Sequence, residues 1–136
     1  MKIYLNIGTN LGNRIANLKH AILAIESELH CKAVVSDIIS SVPWGFASKN
    51  FFYNQGVMID VDIEPYELLD TTQKIEKNLG SKAHRDAAGN YLDRIIDIDI
   101  VDMEGVKIRS ERLVLPHPHL YDRPFFLIPY LMLKGF

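Results

Sequence analysis

The chain holds one cysteine, Cys31, so no internal disulfide can staple it. No apolar run approaches membrane-spanning length, and the residues after Met1 lack the basic, hydrophobic, small-residue order of a signal peptide. Neither sign of charge is in large excess. A net charge of -2 at pH 7 gives no general electrostatic footprint for nucleic acid or an anionic membrane, so an anion site has to be built locally from a few Lys, Arg and His side chains. Repeats and low-complexity segments are missing. What is present is 136 residues, 48% of them hydrophobic, enough for one globular domain over residues 1–136 with a single core. The expectation is a cytoplasmic protein with neither nucleic acid nor membrane as partner; monomer and dimer both stay open.

The most informative stretch is Asp93-Arg94-Ile95-Ile96-Asp97-Ile98-Asp99-Ile100-Val101. Its alternation has the period of a strand, so Ile96, Ile98 and Ile100 share one face while Asp97 and Asp99 stand together on the other. Asp is disfavoured in strands, and like charges at same-face positions repel. A hard cation compensates most simply. Residues two apart on a strand have Cα atoms roughly 6.5 to 7 Å apart, close enough for both carboxylates to converge on one Mg²⁺ or a close pair. The plain alternative is an exposed strand, apolar inside and acidic outside. Spacing alone does not separate the two, because Ile59-Asp60-Val61-Asp62-Ile63 repeats the alternation. Company does: the second copy follows Arg94 and precedes His and Arg residues suited to phosphate, whereas the first runs into a helix start at Glu64-Pro65.

Residues 2–8 form an apolar run closed by Gly8, and residues 9–13 a small polar turn, predicting strand, turn, helix. Asn13 is the candidate N-cap, and Ile15, Leu18, Ile22, Ile25 and Leu29 recur at helical spacing over residues 13–30. Gly8 and Gly12 match neither the dinucleotide nor the P-loop spacing, so this turn reads as structural. Residues 31–43 and 51–63 predict two strands paired as a hairpin, whose long tip gathers Trp44, Phe46, Phe51, Phe52 and Tyr53 beside Asn54. Aromatic faces and one carboxamide suit a flat heterocycle, whose edge needs a donor and an acceptor. An aromatic mini-core with Asn54 bonded to its own backbone is the alternative.

Pro65 opens a second helix, with Leu68, Leu69, Thr72, Ile75 and Leu79 on its buried side and Gly80 as its stop. Thr72, Gln73 and Glu76 form a flank that faces either a ligand or water. Residues 81–93 carry Gly89 and the cations Lys82, His84 and Arg85 with no apolar period, giving a loop that is either a phosphate-closing lid or a solvated segment. Residues 102–105 predict a hairpin turn into a strand at 106–108, and Asp122-Arg123-Pro124 opens a last helix over 125–133. His117, between Pro116 and Pro118, has little backbone freedom, which preorganises its ring. For His117 and His119, hydrogen bonding to phosphate ranks above metal binding because Mg²⁺ prefers oxygen. The element order is the βαββαβ pattern of an α+β, ferredoxin-like sandwich: an antiparallel sheet with helices packed on one face, plus a C-terminal hairpin and helix.

Taken in order across nearly the whole chain, Ile7-Gly8-Thr9-Asn10-Leu11-Gly12-Asn13-Arg14, Phe52-Tyr53-Asn54, Gln73-x-x-Glu76, Arg94-x-x-Asp97-x-Asp99 and Pro116-His117-Pro118 followed by Arg123-x-Phe125 resemble the 6-hydroxymethyl-7,8-dihydropterin pyrophosphokinases of the folate pathway. The resemblance implies a ferredoxin-like fold, ATP as co-substrate, two Mg²⁺ ions, and transfer of the β,γ-pyrophosphoryl group to the pterin hydroxymethyl oxygen with release of AMP. It makes Asp97 and Asp99 the metal ligands, with Arg94, Lys82 and Arg85 meeting developing phosphate charge. Gln73, Glu76, Ile100, His117 and Arg123 fall at the nucleotide. Asn54 reads the pterin edge, Phe125 and Tyr91 sandwich the ring, and Val42, Pro43, Trp44 and Phe52 line the pocket.

The chain departs from that pattern in the loop before the acidic strand, which lacks the usual run of arginines and a Trp-Gly-Pro and offers Ser81, Lys82, His84, Arg85 and Tyr91-Leu92-Asp93-Arg94 instead. Lysine binds phosphate as a point charge and not as a planar fork. Two other functions compete: a non-catalytic module binding a small heterocycle, and a two-metal phosphodiesterase or nuclease using the same carboxylates. The second is disfavoured by the acidic balance and the lack of a basic track.

Overall fold

The computed structural model describes residues 1–41, 51–80 and 95–136. In chain order it contains β1 (Lys2–Thr9), α1 (Arg14–Leu29), β2 (Val34–Ser41), β3 (Phe52–Asp60), α2 (Pro65–Asn78), β4 (Asp97–Met103), β5 (Ile108–Arg109), β6 (Val114–Leu115) and α3 (Pro124–Lys134). Local chemistry sets the helix starts. The Asn13 side chain accepts the Ala16 N–H at 3.0 Å, supplying a partner for a first-turn donor that the helix itself cannot satisfy. Pro65 and Pro124 stand in the first turns of α2 and α3, where a missing N–H costs nothing.

Four strands form one antiparallel sheet in the order β2-β3-β1-β4, so the architecture is α+β. Alternation divides the residues of β1 between two cores. Ile3, Leu5 and Ile7 join Ile96, Ile98 and Ile100 against Leu18, Ala21 and Ile25 of α1 and Leu68 and Ile75 of α2. On the other face, Tyr4 and Val101 pack with Leu120 and with Phe126 and Tyr130 of α3. The two helices of the βαββαβ run therefore share one face, and the C-terminal helix covers the opposite one. Val101 follows Asp97 and Asp99 onto that face by alternation. The β1–β4 register shift between Tyr4 and Leu5, a bulge that re-aims side chains, keeps Asp102 on the same face, where it accepts from the Tyr130 hydroxyl, and turns Met103 back into the first core.

Two local expectations change. Ile15 stays exposed in the first turn of α1, while the unpredicted Ala21 is fully buried. The turn after β4 does not fold a strand back onto it: Ile108 and Arg109 pair with Leu115 and Val114 as a separate two-stranded sheet. The outer edge of β4 is already taken. Glu76 accepts the Ile98 N–H at 2.8 Å, and the His117 N–H donates to the Val101 carbonyl at 2.8 Å, so a returning strand would meet groups that have partners.

Candidate active site

Asp97 and Asp99 lie on the α3 face of the sheet, as the alternation predicts, and both are half-buried. The register shows what stands beside them. Asn54 of β3 is opposite Gly8 of β1, which is opposite Asp97 of β4. One pleat along, Gly56 is opposite Asn6, which is opposite Asp99. Asn54 and Asp97 thus flank a glycine in one cross-strand row, about 10 Å apart at the usual strand spacing. A Cβ on Gly8 would come within 3.0 Å of Asn54 Oδ1 and 3.6 Å of Phe52 Cδ1. Sequence reasoning missed Gly8 as part of the site and assigned its turn a structural role. The available signal was a glycine inside a strand, which often marks a close approach.

Asn54 is buried, and its Nδ2 donates to Ser41 Oγ at 2.7 Å and more weakly to the Ile39 carbonyl at 3.5 Å. Those bonds to β2 turn Oδ1 toward Gly8. Phe52, two residues earlier on the same face, is buried as well. Phe125 is half-buried at the start of α3, and its carbonyl accepts from Asn6 Nδ2 at 2.8 Å. The Arg123 guanidinium lies 5.9 Å from the Phe125 ring centre and 5.5 Å from that of Phe126.

His117 is fixed from several sides. Its Nδ1 accepts the His119 N–H at 3.1 Å, and its ring meets Phe126 edge-on at 4.6 Å. Burial, with smaller contributions from Arg123 and His119, lowers its pKa to about 4 against the pull of Asp97 and Asp122. With Nδ1 occupied as an acceptor, the neutral ring carries its proton on Nε2 and is a hydrogen-bond donor there. The His119 Nδ1 lies 3.2 Å from both Asp122 carboxylate oxygens.

Glu76 is the second surprise. Its flank position allowed a surface role, yet it is 4% exposed and bound to the Ile98 N–H between the two aspartates. Burial first, then the Asp97 charge, pushes its pKa up to about 9; hydrogen bonding to Asp97 and the Asp99 charge add to this, and the Ile98 N–H opposes it. Excess negative potential has therefore collected at this end of β4, and a cation would relieve it. Gln73, one turn earlier on α2, is exposed. Ile100 points into the core on the face opposite Asp97 and Asp99.

No group of three or more His, Cys, Asp or Glu that could hold a metal ion occurs among the described residues. The Asp97 and Asp99 pair still fits Mg²⁺, which characteristically takes one or two protein carboxylates and completes its shell with phosphate oxygens and water. The control copy behaves differently: Asp60 and Asp62 are exposed and lie 2.9 and 3.4 Å from the Met1 amino group. Val42, Pro43, Trp44, Lys82, His84, Arg85, Tyr91 and Arg94 lie outside the described residues. No described helix is long and apolar enough to cross a membrane.

Over residues 4–135 the sequence matches the family described as 7,8-dihydro-6-hydroxymethylpterin-pyrophosphokinase, or HPPK. It is 36% identical over 129 residues to the 2-amino-4-hydroxy-6-hydroxymethyldihydropteridine pyrophosphokinase of Porphyromonas gingivalis, a match spanning 93% of this chain and 86% of that one. The identically named protein of Aquifex aeolicus is 34% identical over 132 residues, 97% of this chain and 79% of its own. That of Bacillus subtilis is 33% identical over 127 residues, 93% and 74% of the respective chains. Matched from β1 to the end of α3, the chain belongs to the 7,8-dihydro-6-hydroxymethylpterin-pyrophosphokinase family and is an enzyme of the pyrophosphokinase (diphosphotransferase) type.

Proposed function

We propose that the chain catalyses magnesium-dependent transfer of the β,γ-pyrophosphoryl group of ATP to the hydroxymethyl oxygen of 6-hydroxymethyl-7,8-dihydropterin, a step of folate synthesis that releases AMP. The observation that carries this reading is the row Asn54, Gly8, Asp97. It sets an amide able to read a heterocycle edge and a carboxylate suited to a hard cation on either side of a glycine, a separation that accommodates a flat bicycle with its substituent directed at the metal. In the reaction the acceptor oxygen attacks the β-phosphorus, the bond from that phosphorus to the α,β-bridging oxygen breaks, and the hydroxyl proton passes to solvent. The products are the pterin diphosphate and AMP.

Asp97 and Asp99 are the residues that would hold metal. Two Mg²⁺ ions, when bound, offset phosphate charge and lower the pKa of the acceptor hydroxyl. The chain's own groups do the rest. His117 donates from Nε2 to a phosphate oxygen as a neutral ring, and Arg123 supplies fixed positive charge beside it. Asn54 offers Oδ1 to the pterin edge, Phe125 stacks on its face with Tyr91 opposite, and Val42, Pro43, Trp44 and Phe52 enclose it. Gln73, Glu76 and the Ile100 backbone border the nucleotide, while Arg94, Lys82 and Arg85 meet charge on the phosphates and on departing AMP. The strand order β2-β3-β1-β4 with α1 and α2 on one face supports a ferredoxin-like sandwich, and residues 1–136 act as one catalytic domain.

A coupled assay for AMP formation tests donor, acceptor and reaction together. AMP should accumulate only when ATP, Mg²⁺ and hydroxymethyl-dihydropterin are all present. AMP production indifferent to the pterin would overturn the proposal.

A further inference from the structure

In an α-helix the carbonyl of one residue accepts from the N–H four residues on. For Phe125 in α3 that residue is Pro129, which has no N–H to give. The missing donor arrives from the sheet: Asn6, 2% exposed in the middle of β1, directs its Nδ2 to the Phe125 carbonyl at 2.8 Å. The same cross-strand row receives the proline. Asn6 pairs with Gly56, and a Cβ on Gly56 would lie 2.8 Å from Pro129 Cβ and 2.9 Å from Leu133 Cδ1. Gly56 is therefore the seat of the Pro129 turn, and its neighbour Asn6 closes the bond that this turn leaves open. On its other side Asn6 pairs with Asp99, so the first turn of α3 is referenced to the strand position next to a carboxylate of the site.

We propose that Asn6 is a positioning residue of the pterin site: its carboxamide replaces the N–H that Pro129 lacks and thereby fixes the first turn of α3, with the Phe125 ring, over the sheet. This rests on the reading of Phe125 as the residue that stacks on the pterin. Loss of the donor leaves the Phe125 carbonyl to find another partner, and the turn shifts or loosens to do so. Asn6 touches no reacting atom and acts through Phe125 alone.

The test compares wild type, Asn6→Ala, Pro129→Ala and the double variant, reading pterin affinity and affinity for a non-hydrolysable ATP analogue by calorimetry. Asn6→Ala should weaken the pterin by about tenfold, the size of one buried hydrogen bond, and the nucleotide by much less. Pro129→Ala restores a helical N–H to Phe125, so in that background Asn6→Ala should leave pterin affinity almost unchanged. A role for Asn6 in packing alone would persist there and overturn the inference, and this arm stands even if Asn6→Ala by itself does not fold. Wild type that binds pterin while Asn6→Ala binds it equally well also overturns the inference and spares the functional reading. Wild type that binds no pterin overturns both.

Discussion

Gly8 and Asn54 face one another across the β1–β3 ladder, and a Cβ added to Gly8 would stand 3.0 Å from Asn54 Oδ1. The amide cannot easily yield, because its nitrogen is tied to Ser41 Oγ at 2.7 Å. Gly8→Ala should therefore tilt the Asn54 carboxamide, at an overpacking cost of about 1–3 kcal/mol. Calorimetry should show pterin affinity down by about tenfold or more with nucleotide affinity nearly intact. Unaltered pterin binding would mean that Gly8 is no part of the pocket floor.

Asn54→Ala removes both the acceptor toward Gly8 and the bond to Ser41. Pterin binding should fall by about 1–3 kcal/mol, the range for a buried hydrogen-bonding group, and far more than ATP binding. Equal weakening of both ligands would argue that Asn54 only braces the β2–β3 pair.

The chain contains its own control for the metal site. Asp97→Ala and Asp99→Ala should each cut turnover by about a thousandfold or more, since metal stabilisation of transferring phosphate is worth several kcal/mol. Asp60→Ala and Asp62→Ala should leave turnover near wild type, because those exposed carboxylates pair with the Met1 amino group among the described residues. Steady-state kinetics on the four proteins decides between the copies; inactivation by the Asp60 or Asp62 change would reverse the assignment.

What was legible in the sequence was what periodicity and end signals encode. Ile96, Ile98 and Ile100 are 0%, 5% and 4% exposed, opposite two half-buried aspartates, because a strand's period of two decides faces locally. Asn13 and Pro65 announced their helix starts for equally local reasons. The rest depended on register and on which edges were already occupied. Nothing near Ile108 says that the edge of β4 is closed by Glu76 and His117, so its pairing with Leu115 was not foreseen. The role of Gly8 exists only once three strands are aligned. The link from Pro129 through Phe125 to Asn6 depends on a bond between Phe125 and Asn6, 119 positions apart, and its sequence trace is a lone amide in an apolar strand and a proline in an apolar helix.

His117 predicts a pH dependence with a definite sign. Its folded pKa is lowered from 6.5 to about 4, so between those values the unfolded chain takes up a proton that the folded chain refuses. The associated stability is present above pH 6.5 and drains as the pH falls through 4. The urea midpoint of wild type should drop across this window. His117→Asn, whose Oδ1 can still accept the His119 N–H, should drop less. Parallel curves would show that His117 is not the group responsible.

The central claim, that Asp97 and Asp99 hold divalent metal beneath a triphosphate, is tested most directly by titrating a non-hydrolysable ATP analogue into wild type and the Asp97→Asn and Asp99→Asn proteins, with and without Mg²⁺. Binding should be tight in wild type with Mg²⁺, much weaker without it, and insensitive to Mg²⁺ in both variants. Nucleotide binding that gains equally from Mg²⁺ in all three proteins would contradict the account.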